Sequence, residues 1–129
     1  MTDNLRVLVA DDNIALRSTV AEILSRVGYS VVEAEDGVEA LEKLAAEEVD
    51  ALVLDVKMPR KDGLSVLDDL EPLPPPPGVL LVSAYEIDTD VRARLGNRVY
   101  KILRKPVPPA TLIQAVSEAI EVAKAARAT

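Results

Sequence analysis

The chain of 129 residues contains no cysteine and no histidine. Without cysteine there is no disulfide, no thiolate nucleophile and no cysteine-ligated metal. Without histidine there is no Ser-His-Asp triad, no imidazole general base and no imidazole metal ligand. Any metal bound here must therefore be a hard ion held by oxygen. The common phosphate-binding loops are missing too: neither G-x-x-x-x-G-K-[ST] nor G-x-G-x-x-G occurs. Five glycines in all leave little for a flavin phosphate loop. No stretch of roughly 18 uninterrupted apolar residues is present, so no membrane span is expected. The N-terminal "MTDNLRVLVADD" carries acids and too short an apolar run for a signal peptide. These absences favour a cytoplasmic protein. A formal charge of −7 would repel a phosphate backbone, so direct nucleic-acid binding is not expected.

About half of the residues (49%) are apolar, enough to support one core and one domain without covalent staples. "LRVLVAD" (Leu5–Asp11) is a short β-rich run that stops at acids. The period then changes: Leu16, Val20, Ile23, Leu24 and Val27 form a helical stripe that Gly28 stops. Burial of these five side chains would contribute on the order of 1.5–3 kcal/mol each before entropy is counted. "YSVVEA" reads as a second strand and Asp36-Gly37 as the turn after it. Val38, Leu41, Leu44 and Ala45 mark a second helix, "VDALVLD" a third strand, and "LSVLDDL" a short helix ended by Pro72. "PLPPPPG" (Pro72–Gly78) lacks the amide donors for a sheet and reads as a stiff, polyproline-like surface loop. "GVLLVSA" is the fourth strand, "DTDVRARLG" a weaker helix and "RVYKIL" the fifth strand. After Pro108, helical spacing returns at Leu112, Val116, Ala119, Ile120 and Ala123. Strands alternating with helices imply an α/β fold with a parallel sheet covered on both faces.

In such a sheet, ligands collect outside the carboxyl ends of the strands, where strand order reverses. The first strand ends in Asp11-Asp12, the third in Asp55, the fourth in Ser83-Ala84, and the fifth, after Arg104, in Lys105-Pro106. Carboxylates gathered on one edge repel, and one would stay protonated unless a cation intervened. Magnesium resolves this, since it takes one or two carboxylates, keeps waters and adds phosphate oxygens. An ammonium and a hydroxyl opposite the acids suit a phosphoryl group. With histidine and cysteine absent, a carboxylate is the candidate acceptor. Each residue also has an ordinary reading. Asp11-Asp12 could cap a helix, Asp55 could be a solvated strand end, and Lys105 a surface lysine. Met58-Pro59 and Asp62-Gly63 are common turn pairs. The coincidence of all of them on one sheet edge favours a phosphoryl site.

From Leu5 to about Ala123 the chain resembles the receiver domain of two-component response regulators, through "VLVADDN", "EDGVEAL", "LVLDVKMPRKDGL", "LLVSA" and "KILRKPV" in order. The resemblance implies a flavodoxin-like, doubly wound five-stranded sheet of order 2-1-3-4-5 with five helices. Residues 1–129 would form a single receiver domain, its core spanning about 5–123, with a short helical extension. It also implies Asp55 as the phosphoacceptor, served by a sensor histidine kinase or histidine phosphotransfer protein. Asp12 would ligate Mg2+ (or Mn2+) directly and Asp11 mainly through water, with Asp55 and the backbone carbonyl of Lys57 completing the protein's share. Ser83 would bond the phosphoryl oxygens and Lys105 would pair with them. The Lys105-Pro106 peptide would be cis.

Two departures stand out. Ile102 occupies the place where the family usually has Tyr or Phe, and Arg98-Val99 replaces the usual Gly-Ala. Either coupling runs through the aliphatic Ile102, or Tyr100, one strand repeat earlier, partly substitutes; signalling through the fourth helix and fifth strand is expected to be atypical. Lys57 and Tyr85, two residues past the acceptor and the serine, are expected to shield the phosphoryl group from water.

A hydrolase working through an aspartyl phosphate would usually carry a second acid where this chain has Lys57, so a signalling acceptor is expected rather than a turnover enzyme. As a stand-alone regulator or a relay, monomeric or dimerising on phosphorylation, it would bind a partner through its fourth helix, fifth strand and fifth helix. The alternatives are a module of a longer regulator with an output domain, and a pseudo-receiver that binds partners without phosphorylation.

Overall fold

The computed structural model describes residues 5–70 and 77–128, the side chains of 94, 97, 127 and 128 excepted. Strands β1 (Arg6–Ala10), β2 (Ser30–Ala34), β3 (Ala51–Asp55), β4 (Gly78–Ser83) and β5 (Lys101–Arg104) alternate with helices. These are α1 (Ile14–Val27), α2 (Gly37–Ala46), α3 (Gly63–Leu70), α4 (Thr89–Leu95) and α5 (Pro109–Ala128). All strand pairs are parallel and the order is β2-β1-β3-β4-β5. This is the doubly wound, flavodoxin-like arrangement expected from the strand–helix alternation and the resemblance. Among the described residues no helix is long and apolar enough to cross a membrane.

The sheet separates two cores, and strand alternation sorts residues between them. Leu8, Ala10, Leu52, Leu54, Val79 and Leu81 pack with α2, α3 and Leu95 of α4. Val7, Val9, Ala51, Val53, Leu80 and Val82 pack with α1 and α5. Burial on both faces explains why β1, β3 and β4 read as nearly solid apolar runs.

Helix faces differ from the sequence expectation in detail. In α1, Leu24 is fully buried and Ala21 nearly so, whereas Leu16 (45% exposed) and Val27 (42% exposed) lie open at the helix ends. Only the middle of that stripe meets the sheet. In α2 the buried residues are Gly37 and Ala40, Leu41 and Leu44 pack partly, and Ala45 is exposed. The most deeply buried positions of this helix are small residues, which hydropathy alone does not mark. In α5, Leu112, Val116, Ala119, Ile120 and Ala123 are buried as their spacing requires, together with Ala115. The fifth strand begins later than expected, because Gly96–Arg98 form a 3-10 turn. Of the expected polyproline-like loop, residues 72–76, the Pro72 helix stop among them, lie outside the described residues, Pro77 is irregular, and Gly78 already belongs to β4.

Caps account for the helix starts. Asn13 accepts the Leu16 amide at 3.1 Å and opens α1, and Gly28, with φ 115°, closes it in the left-handed region that glycine tolerates. Asp36 is the N-cap of α2 rather than a simple turn residue: its Oδ1 accepts the Glu39 amide at 2.8 Å. Its Oδ2 accepts from Arg60 Nε at 2.8 Å, and the residue is only 4% exposed.

Two tests follow from this packing. A Cβ at Gly78 would lie 2.3 Å from the Ala119 carbonyl oxygen, backbone of α5 that cannot swing aside. Gly78→Ala should therefore cost about 1–3 kcal/mol in urea unfolding; an unchanged midpoint would contradict this β4–α5 approach. The Glu39 amide holds the Asp36 carboxyl below the usual carboxylate range, against the pull of burial and with help from Arg60. Its stabilisation is therefore complete above the unfolded pKa, about 3.9, and is lost as pH falls through the lower folded value. Unfolding midpoints of the wild type should drop more steeply than those of Asp36→Asn between about pH 5 and about pH 2. Parallel curves would show that the carboxylate carries no such charge-dependent stabilisation.

Candidate functional site

The carboxyl ends of β1 and β3 lie side by side where the strand order reverses, since β2 flanks β1 on one side and β3 on the other. Asp11 immediately follows β1 and Asp55 is the last residue of β3. Both are 8% exposed, while Asp12 stands open to solvent. Each of the three offers a carboxylate oxygen, and these oxygens lie within 4.8 Å of one another. Lys105, just past β5, reaches across the edge: its Nζ donates to Asp11 Oδ2 at 3.0 Å and to Asp55 Oδ2 at 3.2 Å. The Lys105-Pro106 peptide is cis.

The electrostatics follow from this crowding. Burial pushes the Asp55 carboxyl above the usual range; Lys105 opposes the shift and the Asp11 charge adds to it. Burial alone would lower the Lys105 ammonium, but its bonds and charge attraction to Asp11 and Asp55 win and raise it. The lysine is thus firmly cationic, and the carboxylates retain an excess of negative charge. Three hard oxygen donors without nitrogen or sulfur fit a hard divalent cation such as magnesium or manganese. No hydrogen bond from the described residues falls on the Lys57 carbonyl, two residues beyond Asp55.

Ser83 closes β4 beside β5 and is buried. Its hydroxyl donates to the Tyr85 carbonyl at 2.7 Å and accepts the Tyr85 amide at 3.0 Å, a local turn that holds the side chain. The Lys57 ammonium lies 4.6 Å from the centroid of the exposed Tyr85 ring, a cation–π contact bridging the loops after β3 and β4.

Ile102 is half-buried, pairs in register with Leu81 and packs on the core beneath α2, α3 and α4. Tyr100 precedes β5; its amide donates to Val79 at the start of β4, and its hydroxyl donates to Glu118 of α5 at 2.9 Å. Four residues of strand, about 13 Å, separate that end of β4 from Ser83. Tyr100 is thus tied to α5 at the end of β4 away from Ser83.

Two arginines were not anticipated from the sequence. Arg17 in α1 donates to the Asp11 carbonyl at 2.9 Å and to Glu33 of β2 at 3.0 Å, bracing the loop that carries the acids. Arg60, in the loop after β3, pairs with Asp36. The Asp36–Glu39 spacing was a readable cap signal. Nothing in the sequence pointed from either arginine to its distant partner.

Comparison with known proteins agrees with this geometry. The family model described as "Response regulator receiver domain" matches residues 7–117. The chain is 42% identical over 102 residues to the response regulator MprA of Mycobacterium avium, covering 79% of this chain and 45% of that protein. It is 42% identical over 103 residues to the response regulator MprA of Mycobacterium tuberculosis, covering 80% and 45%. The chain thus spans less than half the length of these curated relatives. A CheY-like receiver domain protein from Methanospirillum hungatei superposes with a TM-score of 0.86 at 26% identity, covering 93% of this chain and 96% of that one. The signal receiver domain of the putative response regulator NarL from Mycobacterium tuberculosis gives 0.81 at 33% identity, covering 92% and 97%. Sheet order, the acidic edge with its lysine and a family match over most of the chain converge: this protein belongs to the response regulator receiver domains of two-component signalling.

Proposed function

We propose that this receiver domain accepts a phosphoryl group on Asp55 from a phosphohistidine of a sensor kinase or phosphotransfer protein. The observation that carries the reading is the Lys105 ammonium held between Asp11 and Asp55 at the buried end of β3. An Asp55 carboxylate oxygen attacks phosphorus as the phosphorus–nitrogen bond breaks and the imidazole leaves. Phosphorylation and magnesium binding are general features of the family. Here Asp11, Asp12, Asp55 and the Lys57 carbonyl would hold Mg2+ or Mn2+. Once bound, that ion supplies charge neutralisation for the carboxylates and the incoming phosphoryl oxygens.

Lys105, already 3.2 Å from Asp55, pairs with the added phosphoryl charge. Ser83 exchanges its bond to the Tyr85 carbonyl for one to a phosphoryl oxygen, which frees the backbone after β4. That release reaches β5 through the aliphatic Ile102, and the α4–β5–α5 surface presents the result to a downstream partner. Residues 1–129 act as one receiver domain in this scheme, with a core from about 5 to 123.

Intact-mass measurement after incubation with acetyl phosphate and magnesium tests the reading. Wild type should gain one phosphoryl mass and Asp55→Asn none. Absence of any adduct on wild type with every donor tried would favour a phosphorylation-independent interaction domain instead.

Lys57 and Tyr85 would together cover the approach to the acceptor, and their 4.6 Å contact supports a shielding role against in-line water. Lys57→Ala and Tyr85→Ala should each shorten the phosphoryl half-life severalfold. Because the two side chains act through one contact, the double variant should decay little faster than the worse single one. Decay rates equal to wild type in both single variants would remove the shielding account.

A further inference from the structure

The acceptor edge depends on a loop that the strand itself does not hold. Between Asp55 and α3 the chain reverses through residues 56–62, and both ends of this turn are fixed. The Gly63 amide donates to the Val56 carbonyl at 2.8 Å, and Met58 is buried at 9% exposure. The middle is different. Arg60 has φ 65°, in the left-handed region that side chains other than glycine rarely adopt. It is the one non-glycine residue with positive φ among the described residues.

An outside partner accompanies that unfavourable backbone. The Arg60 guanidinium grips Asp36 Oδ2 twice, through Nε at 2.8 Å and Nη2 at 2.8 Å. Asp36 is a fixed anchor, since its other oxygen caps α2 and its side chain is 6% exposed. Beside the pair, the loop backbone sits against α2: a Cβ on Gly37 would fall 2.0 Å from the Lys61 carbonyl oxygen. The turn after the acceptor is therefore clamped onto the start of α2 from 24 residues away in sequence.

We propose that Asp36 and Arg60 are a positioning pair that sets divalent-cation affinity by holding the 56–62 turn in the shape that offers the Lys57 carbonyl beside Asp55. The inference rests on the acceptor reading above and extends it to two residues that touch neither phosphoryl group nor cation. Release of the guanidinium lets the strained turn relax, and a carbonyl donor carried by that turn moves with it. Loss of an outer partner that orients a metal ligand typically weakens metal binding 10–100-fold.

The sign of the effect separates positioning from simple charge. Removal of a cation near an acidic site should strengthen binding of another cation if only Coulomb attraction matters. Positioning requires the opposite. Asp36→Asn is a clean partner variant, because asparagine caps a helix about as well as aspartate.

The experiment is calorimetric titration of the full chain with Mg2+, on wild type, Arg60→Ala, Arg60→Lys, Asp36→Asn and the Arg60→Ala/Asp36→Asn double variant. Urea unfolding without magnesium runs alongside. Arg60→Ala should weaken Mg2+ by about 10-fold, and Arg60→Lys should recover part of that loss. The double variant should bind no worse than the weaker single one. Mg2+ binding by Arg60→Ala and Arg60→Lys as tight as wild type or tighter would overturn the inference, even if the urea midpoint falls. Failure of wild type to bind Mg2+ at all would overturn the acceptor reading and this inference with it.

Discussion

Everything at the functional edge depends on keeping like charges together in a partly buried place. Two carboxylates about 4 Å apart repel by on the order of 4 kcal/mol at an effective dielectric constant of about 20. Burial adds to the strain on Asp55, whose carboxyl is pushed above its ordinary range. Lys105 offsets this by bonding Asp11 and Asp55 at once. It cannot neutralise three acids. The residual negative charge, carried by oxygen donors alone, is what suits the edge to a hard divalent ion. The polar cluster is tolerable because it terminates strands that are otherwise apolar on both faces, so the sheet is held by residues that take no part in the chemistry.

That rigid sheet delivers the strand ends, but the loops beyond them need their own ties. Arg17 anchors the Asp11 carbonyl to β2, and Arg60 anchors the turn after Asp55 to α2. Gly63 lets α3 start directly against the acceptor backbone, since a Cβ there would come within 2.4 Å of the Asp55 carbonyl oxygen. Ser83 and Tyr85 tie the β4 loop to itself. Each bond satisfies backbone or charged groups that would otherwise stand unpaired near the pocket. Among the described residues no buried side-chain polar atom is left without a partner.

The β4–β5 side of the sheet is fastened by contacts of its own. Ile102 gives β5 an apolar contact with the sheet core, and the Tyr100 hydroxyl donates to Glu118 of α5. Arg98, in the turn before β5, donates to Asp68 of α3 at 2.9 Å. The β5 entrance is therefore fastened to both α3 and α5. β5 is thus braced at its start, while Ile102 further along it packs on the core beneath α2, α3 and α4.

Much of this was written locally. Solid apolar runs ending in Asp11, Asp55 and Ser83 identify strands covered on both faces, because the side-chain period and the polar stops are properties of consecutive residues. The parallel sheet, its acidic edge and the lysine opposite follow from those stops together with the rule that ligands gather where strand order reverses. Tertiary structure decided what depends on partners distant in the chain. Leu16 and Val27 read as core by spacing yet lie open at the ends of α1, while the small Ala40 is fully buried in the core beneath α2 and α3. Asp36 caps α2 through a local bond, but its second tie, to Arg60 24 positions away, exists only in the folded chain. Tyr100 reads as a strand residue, yet it precedes β5 and its hydroxyl bonds Glu118, 18 positions away. Periodicity reports which face a residue occupies. Only the packed chain reports what is on the other side.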